Sequence, residues 1–175
     1  QLSAIIPDHP DAPHWRRFAQ DDLERQLDAY CSPSGAWEES INYALFTFSY
    51  FVTTFRIVKN RLGIDYFQDE RMRRYASWLV RFFGPFDKHV NAYTFPGIGN
   101  AHVPCGAEVL LPYACELPVD DPLRHDLISV YQKTRPTSGV SEDGAMLLAG
   151  IATIPDREFP LRPLVSEHMQ DLGVA

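Results

Sequence analysis

The sequence predicts an all-α fold. Apolar residues recur at three- and four-residue steps from Trp15 to Tyr30, and a long apolar segment covers about 39–62 and ends on Gly63. Phe46, Phe48, Tyr50 and Val52 alternate as in a strand, but the length and end signals of that segment favour a helix, and no other stretch argues convincingly for a strand. Helix after helix without strands leaves paired antiparallel helices as the natural arrangement.

Residues 1–12 read as an extended, Pro-rich lead-in, with Asp11 as N-cap and Pro13 in the first turn of a helix over about 13–30. Trp15, Phe18, Ala19, Leu23, Leu27 and Tyr30 form its apolar face, opposite Asp21, Asp22, Glu24, Arg25 and Asp28. Cys31-Ser32-Pro33-Ser34-Gly35 breaks the chain into a turn. The helix over 39–62 carries Glu38 and Glu39 at its positive end and Lys59 and Arg61 at its negative end, with Gly63 as terminator. It is apolar nearly all round, which implies contact on several sides. A third helix spans about 69–83 and stops at Gly84-Pro85; a long loop covers 84–104, and a loop of that length is often functional. Further helices are predicted at about 106–117, 121–133 and 141–152, before a Pro-rich, irregular tail from Pro155.

The chain has 175 residues, enough for one domain with a sizeable core. Its net charge of −7 argues against long-range attraction to polyanions, so nucleic acid is not an expected partner. The charge is segregated: residues 56–105 hold 8 basic and 4 acidic groups, whereas both flanking segments are acidic. Arg56, Lys59, Arg61, Arg71, Arg73, Arg74, Arg81 and Lys88 make either a solvated helix face or a local anion-facing wall. Aromatics at 13% fit a well-filled core, or a cleft in which ring faces stack on sugars. Cys31, Cys105 and Cys115 match no disulfide framework or zinc spacing and read as small buried residues. No metal motif, phosphate loop or nucleophile elbow is present, so neither a metal nor a cofactor is expected. Asn42, Thr47, Ser49, Thr53, Thr54 and Arg56 make the run from Ile41 to Val58 too polar for a membrane span. The chain opens without Met and without a basic and apolar leader, and both ends read as cuts within a larger unit.

The richest stretch is Ser34-Gly35-Ala36-Trp37-Glu38-Glu39-Ser40-Ile41-Asn42-Tyr43. It sets a carboxylate pair, an amide and a phenol at the start of an apolar helix. Together with the helix that follows, Gly63-Ile64-Asp65-Tyr66-Phe67, Trp78-Leu79 and the Pro-rich loop, it resembles the heparinase II/III and oligoalginate lyase group of polysaccharide lyases. In that group a segment like D-G-x-W-x-E-G-x-x-Y opens an inner helix of an (α/α) toroid. Ser34 and Ser40 stand where the group usually has Asp and Gly, and Gly99-Asn100 where relatives often have Gly-Asp.

The resemblance implies the later part of an (α/α) toroid over 1–165, an incomplete ring of antiparallel helix pairs. It also implies the start of a following domain, a β-sandwich, at 166–175. It implies β-elimination on an anionic, uronate-containing polysaccharide or oligosaccharide, in the periplasm or outside the cell, and it leaves the oligomeric state open. Tyr43 is then the base, the acid or both, aided by the helix dipole; otherwise it is a core tyrosine. Glu39 bonds a sugar hydroxyl or orients Tyr43, or it only caps the helix. Asn42 is a further substrate-binding candidate, though it is expected to face the other side. Trp37 either stacks on a sugar or wedges between helices. His89 and His102, both in the long loop, are candidates to meet a carboxylate, with the ordinary surface histidine as the other reading; the other histidines form no constellation. Two further functions stay open. One is a glycoside hydrolase pairing Glu38 or Glu39 with Asp87 or Glu142. The other is a non-catalytic helical carbohydrate-binding or scaffold module.

Overall fold

In a computed structural model, residues 3, 6–89, 91–98, 109–134 and 160 are described, and most of them are helical. Helix α1 is Ala12–Tyr30, α2 is Ile41–Leu62 and α3 is Glu70–Arg81. A 3-10 turn at Tyr66–Gln68 joins α2 to α3. Two short strands, β1 (Phe86–Asp87) and β2 (Ala92–Tyr93), pair antiparallel, and α4 (Leu110–Ala114) and α5 (Pro122–Thr134) follow. The predicted helix at 141–152, the irregular tail and the start of a following domain lie outside the described residues.

The helix ends follow their residues. Gly63 takes the left-handed conformation (φ 71°), and its N–H closes on the Lys59 carbonyl. Asp69 and Asp121 each accept a bond from a backbone N–H two residues on, opening α3 and α5. Asp11 precedes α1 without a side-chain cap.

Several expectations are corrected. Over residues 6–12 the lead-in is turned rather than extended: the His9 N–H meets the Ile6 carbonyl, the Ala12 N–H meets that of His9, and the His9 ring stacks on Trp15 at 4.5 Å. The loop after α3 contains a strand pair, which the alternation test cannot register in strands of two residues. Only Leu110–Ala114 of the predicted 106–117 helix is α-helical in the described residues; turns continue it to Leu117, just before Pro118. Cys31 is buried, and burial pushes its thiol pKa up to about 12; Cys115 is only half-buried.

The core is assembled on one face of α2. Ile41, Ala44, Leu45, Phe48, Val52 and Phe55 are buried there against Met72, Tyr75 and Leu79 of α3 and Tyr113 of α4. The Phe48 ring meets Tyr75 edge-on at 5.4 Å and Tyr113 at 5.3 Å. The phenols of the two most deeply buried tyrosines find acceptors: Tyr75 donates to the Ala44 carbonyl and Tyr113 to the Phe67 carbonyl at 3.0 Å. The opposite face of α2 is exposed, so the described residues cover this helix on one side rather than all round. Tyr43, Phe46 and Tyr50 line that face, at the spacing of adjacent helical turns.

The turn before α2 is seated directly on α3. Gly35 has φ 86°, and a Cβ there would lie 2.2 Å from the Arg74 carbonyl oxygen. Arg81 also donates to the Ser34 carbonyl at 3.0 Å. Only glycine meets both demands at once, the positive φ and the close approach.

Ion pairs, not solvent, take up much of the basic middle segment. Arg71 bonds Asp69 at 2.6 Å and Asp28 at 2.7 Å, and also meets Glu24, tying α3 to α1. Arg56 and Lys59 hold Glu116 at 3.0 and 3.2 Å, and Lys59 holds Asp65 at 3.0 Å. Arg73 bonds Asp121 at 2.8 Å, and the buried Arg124 caps the end of α4 through the Ala114 and Leu117 carbonyls. The segregated charge of the sequence is therefore largely internal complementarity.

Two outcomes test this account. Gly35→Ala should lose roughly 3 kcal/mol or more in urea unfolding, because backbone strain and overpacking add. Gly63→Ala, with open space around its Cβ, should lose only about 1 kcal/mol. Equal losses would refute the close approach.

Acid should also weaken the fold. The Arg71 side chain holds the Asp69 carboxyl below its ordinary value. Burial alone would raise Asp121, but the Arg73 bond and backbone donors outweigh it, and that carboxyl is lowered too. Folded pKa values below the unfolded ones mean that this stability is fully present above about pH 5 and is lost as pH falls through the unfolded and then the folded values. The melting temperature should drop between about pH 5 and about pH 3, less steeply in Asp69→Asn than in the native protein. Parallel curves would refute the link.

Candidate functional site

The Gly35 turn delivers Trp37 into the interior. Its ring stacks on Tyr75 at 5.1 Å and 12°, meets Phe51 edge-on at 6.1 Å, and lies 5.2 Å from the Tyr30 ring. Only 5% of Trp37 is exposed, so most of the residue is a wedge between α1, α2 and α3. Its indole N–H donates to Glu39 Oε2 at 3.1 Å, and this bond holds an otherwise exposed carboxylate just ahead of α2.

Tyr43 stands in the first turn of α2 and is 49% exposed. Helical side chains lean toward the N-terminus, so its ring extends over the turn that carries Ser40. Asn42 is half-buried and also bonded within the protein. The structure thus gathers Trp37, Glu39, Asn42 and Tyr43 around the start of α2. His89 sits elsewhere, exposed in the turn of the β1–β2 hairpin, where its N–H bonds Asp87 Oδ1 at 2.7 Å. That hairpin is anchored by Tyr93 against Phe83 at the end of α3 and by Lys133 of α5 over the Tyr93 ring. His102 and Glu142 lie outside the described residues.

The tyrosines divide by environment. Burial raises the pKa of Tyr75 well above the ordinary phenol value, and raises Tyr113 as well. Burial and a bond to Glu24 push Tyr66 up to about 12. These three hold their protons and serve the core. Tyr30, Tyr43 and Tyr50 are exposed, and of them Tyr43 alone occupies a helix N-terminal turn.

Between α1 and α2 lies a depression of about 550 Å³. Asp22, Arg25, Gln26 and Tyr30 of α1 line it, with Trp37 and Thr47 opposite. Thr47 is one helical turn beyond Tyr43. Sequence reasoning did not single out this group, although Asp22, Gln26 and Tyr30 recur at four-residue steps on a helix and so share a side. Among the described residues no cluster of His, Cys, Asp and Glu could hold a metal ion, and no helix is long and apolar enough to cross a membrane.

Comparison with family models, curated proteins and solved structures finds no match to this chain.

Ser40 precedes α2 in the extended conformation of an N-cap, but its hydroxyl makes no capping bond and is buried without a partner. An N-cap serine normally contributes about 1 kcal/mol. Ser40→Ala should instead change stability by less than about 0.5 kcal/mol in urea unfolding, since it removes an unsatisfied group. A loss near the usual size would show that the hydroxyl caps α2 in solution.

Proposed function

We propose that this protein is a polysaccharide lyase cleaving a uronate-containing glycan by β-elimination, with its helices forming part of an (α/α) toroid. On this reading it works in the periplasm or outside the cell. The observation that carries it is the exposed Tyr43 in the first turn of α2, four residues after a carboxylate, Glu39, that Trp37 holds in place.

The chemistry asks for a group that takes the carbon-bound proton next to the uronate carboxylate. The electron pair left behind forms a carbon–carbon double bond and expels the glycosidic oxygen, which needs a proton in turn. One tyrosine meets both needs in sequence: its phenolate accepts the first proton, and the resulting phenol donates to the leaving oxygen. Exposure gives Tyr43 access to a chain-like substrate, and its place in the first turn of α2 sets it beside the free backbone N–H groups of the helix start. Buried Tyr66, Tyr75 and Tyr113 lack that access. Glu39, fixed by the indole N–H, is suited to accept a bond from a sugar hydroxyl or to orient the phenol. The strict need for glycine at position 35 supports reading the G-x-W-x-E segment as a scaffold for this geometry.

The experiment follows ultraviolet absorbance of unsaturated uronate during incubation with alginate, heparin-type glycans and hyaluronan. Tyr43→Phe should reduce the rate by about a hundredfold or more, while its melting temperature stays near that of the native protein because the side chain is exposed. No absorbance rise on any of these glycans from the folded protein would sink the reading. An unimpaired Tyr43→Phe would remove Tyr43 from it.

A further inference from the structure

The depression between α1 and α2 has features that elimination does not use. Its floor is polar: one carboxylate oxygen of Asp22 meets Arg25, and the other accepts from Gln26 Nε2 at 2.7 Å. Its wall is aromatic: Tyr30 is 48% exposed, and its ring leans on Trp37 at 34°. Thr47 adds a hydroxyl on the far side. The volume, about 550 Å³, lies within the range of small-molecule sites.

We infer that this depression is a binding subsite for a neutral sugar, with Tyr30 as the ring platform and Asp22, Gln26 and Thr47 as partners for its hydroxyls. Three physical points select that ligand. An exposed aromatic face held by a second ring suits the apolar face of a pyranose and loses little side-chain freedom on binding. Sugar hydroxyls both donate and accept, and the wall offers both roles: carboxylate and amide oxygens accept, while the Gln26 amide and the Thr47 hydroxyl donate. The charges of Asp22 and Arg25 cancel, so the site offers no net attraction to an anion, and a uronate carboxylate here would face Asp22. The subsite does not depend on the elimination chemistry, and it would serve equally a protein that only binds glycans.

The test titrates the full chain by calorimetry with neutral hexasaccharides (maltohexaose, cellohexaose and mannohexaose) and with hexamannuronate and hexagalacturonate. The indole N–H resonance of Trp37 is followed in parallel. At least one neutral hexasaccharide should bind saturably and shift the Trp37 signal. Tyr30→Ala should weaken that binding about tenfold or more, and Gln26→Ala should weaken it as well. Both substitutions are at sites where the fold has little to lose, since Tyr30 is 48% exposed and, among the described residues, Gln26 bonds within its own helix. Tyr43→Phe should leave this binding unchanged, which separates the subsite from the lyase reading. Absence of neutral-sugar binding at millimolar ligand would overturn the inference. So would binding that ignores Tyr30→Ala or leaves Trp37 unshifted, and so would preference for the uronate hexasaccharides.

Discussion

The contact between Gly35 and the backbone of α3 governs the arrangement around it. No side chain fits at position 35, so the turn can lie directly on the Arg74 carbonyl. That seating sets the depth at which Trp37 enters and lets its ring lie flat on Tyr75. Tyr75 in turn donates to the Ala44 carbonyl in the first turn of α2. A chain of contacts therefore runs from a missing Cβ, through two stacked rings and one buried hydrogen bond, to the start of the central helix. Tyr43 and Glu39 stand where they do because that helix start is fixed from below. The exposed groups of the candidate site rest on a rigid aromatic base, the arrangement expected of a site that must hold geometry.

Apolar burial and ion pairing do different work here. A fully buried large apolar side chain contributes about 1.5–3 kcal/mol, and α2 alone supplies seven buried side chains. Exposed or half-exposed ion pairs contribute at most about 1 kcal/mol each. Stability therefore comes mainly from the core. The pairs supply register instead: Arg71 reaches two carboxylates on α1, Arg73 reaches the cap of α5, and Lys59 with Arg56 reaches Glu116 beyond α4. Each joins elements distant in sequence, and a mispaired helix would leave a partly buried charge without its partner.

Helices α1, α2, α3 and α5 were legible in the sequence to within about two residues, because their apolar spacing and end signals agree. Gly63 is read correctly as an end signal, since its left-handed conformation is a local property. The strand pair was not legible, because two residues per strand carry no alternation. Charge placement was legible only as segregation: which arginine meets which carboxylate depends on helix packing that periodicity does not encode. The same limit applies at the candidate site. The Gly35–Tyr43 segment is continuous in sequence and could be found as a pattern. The depression joins residues 22–30 to residues 37 and 47, and only the crossing of α1 and α2 brings them together.

The two proposed roles fit one electrostatic layout. The start of α2 carries the positive end of a helix dipole, with the carboxylates of Glu38 and Glu39 just ahead of it. The depression beside it is formally neutral, because Arg25 cancels Asp22. An anionic group of a bound glycan gains nothing in the depression, while an uncharged ring loses nothing there and gains an aromatic face. Thr47 lies four residues along α2 from Tyr43, about 6 Å at the rise of an α-helix, so neighbouring sugars of one chain can occupy both places. Register along the glycan would then come from the depression and chemistry from the helix start. Loss of the aromatic platform should act on binding, and loss of the phenol on turnover.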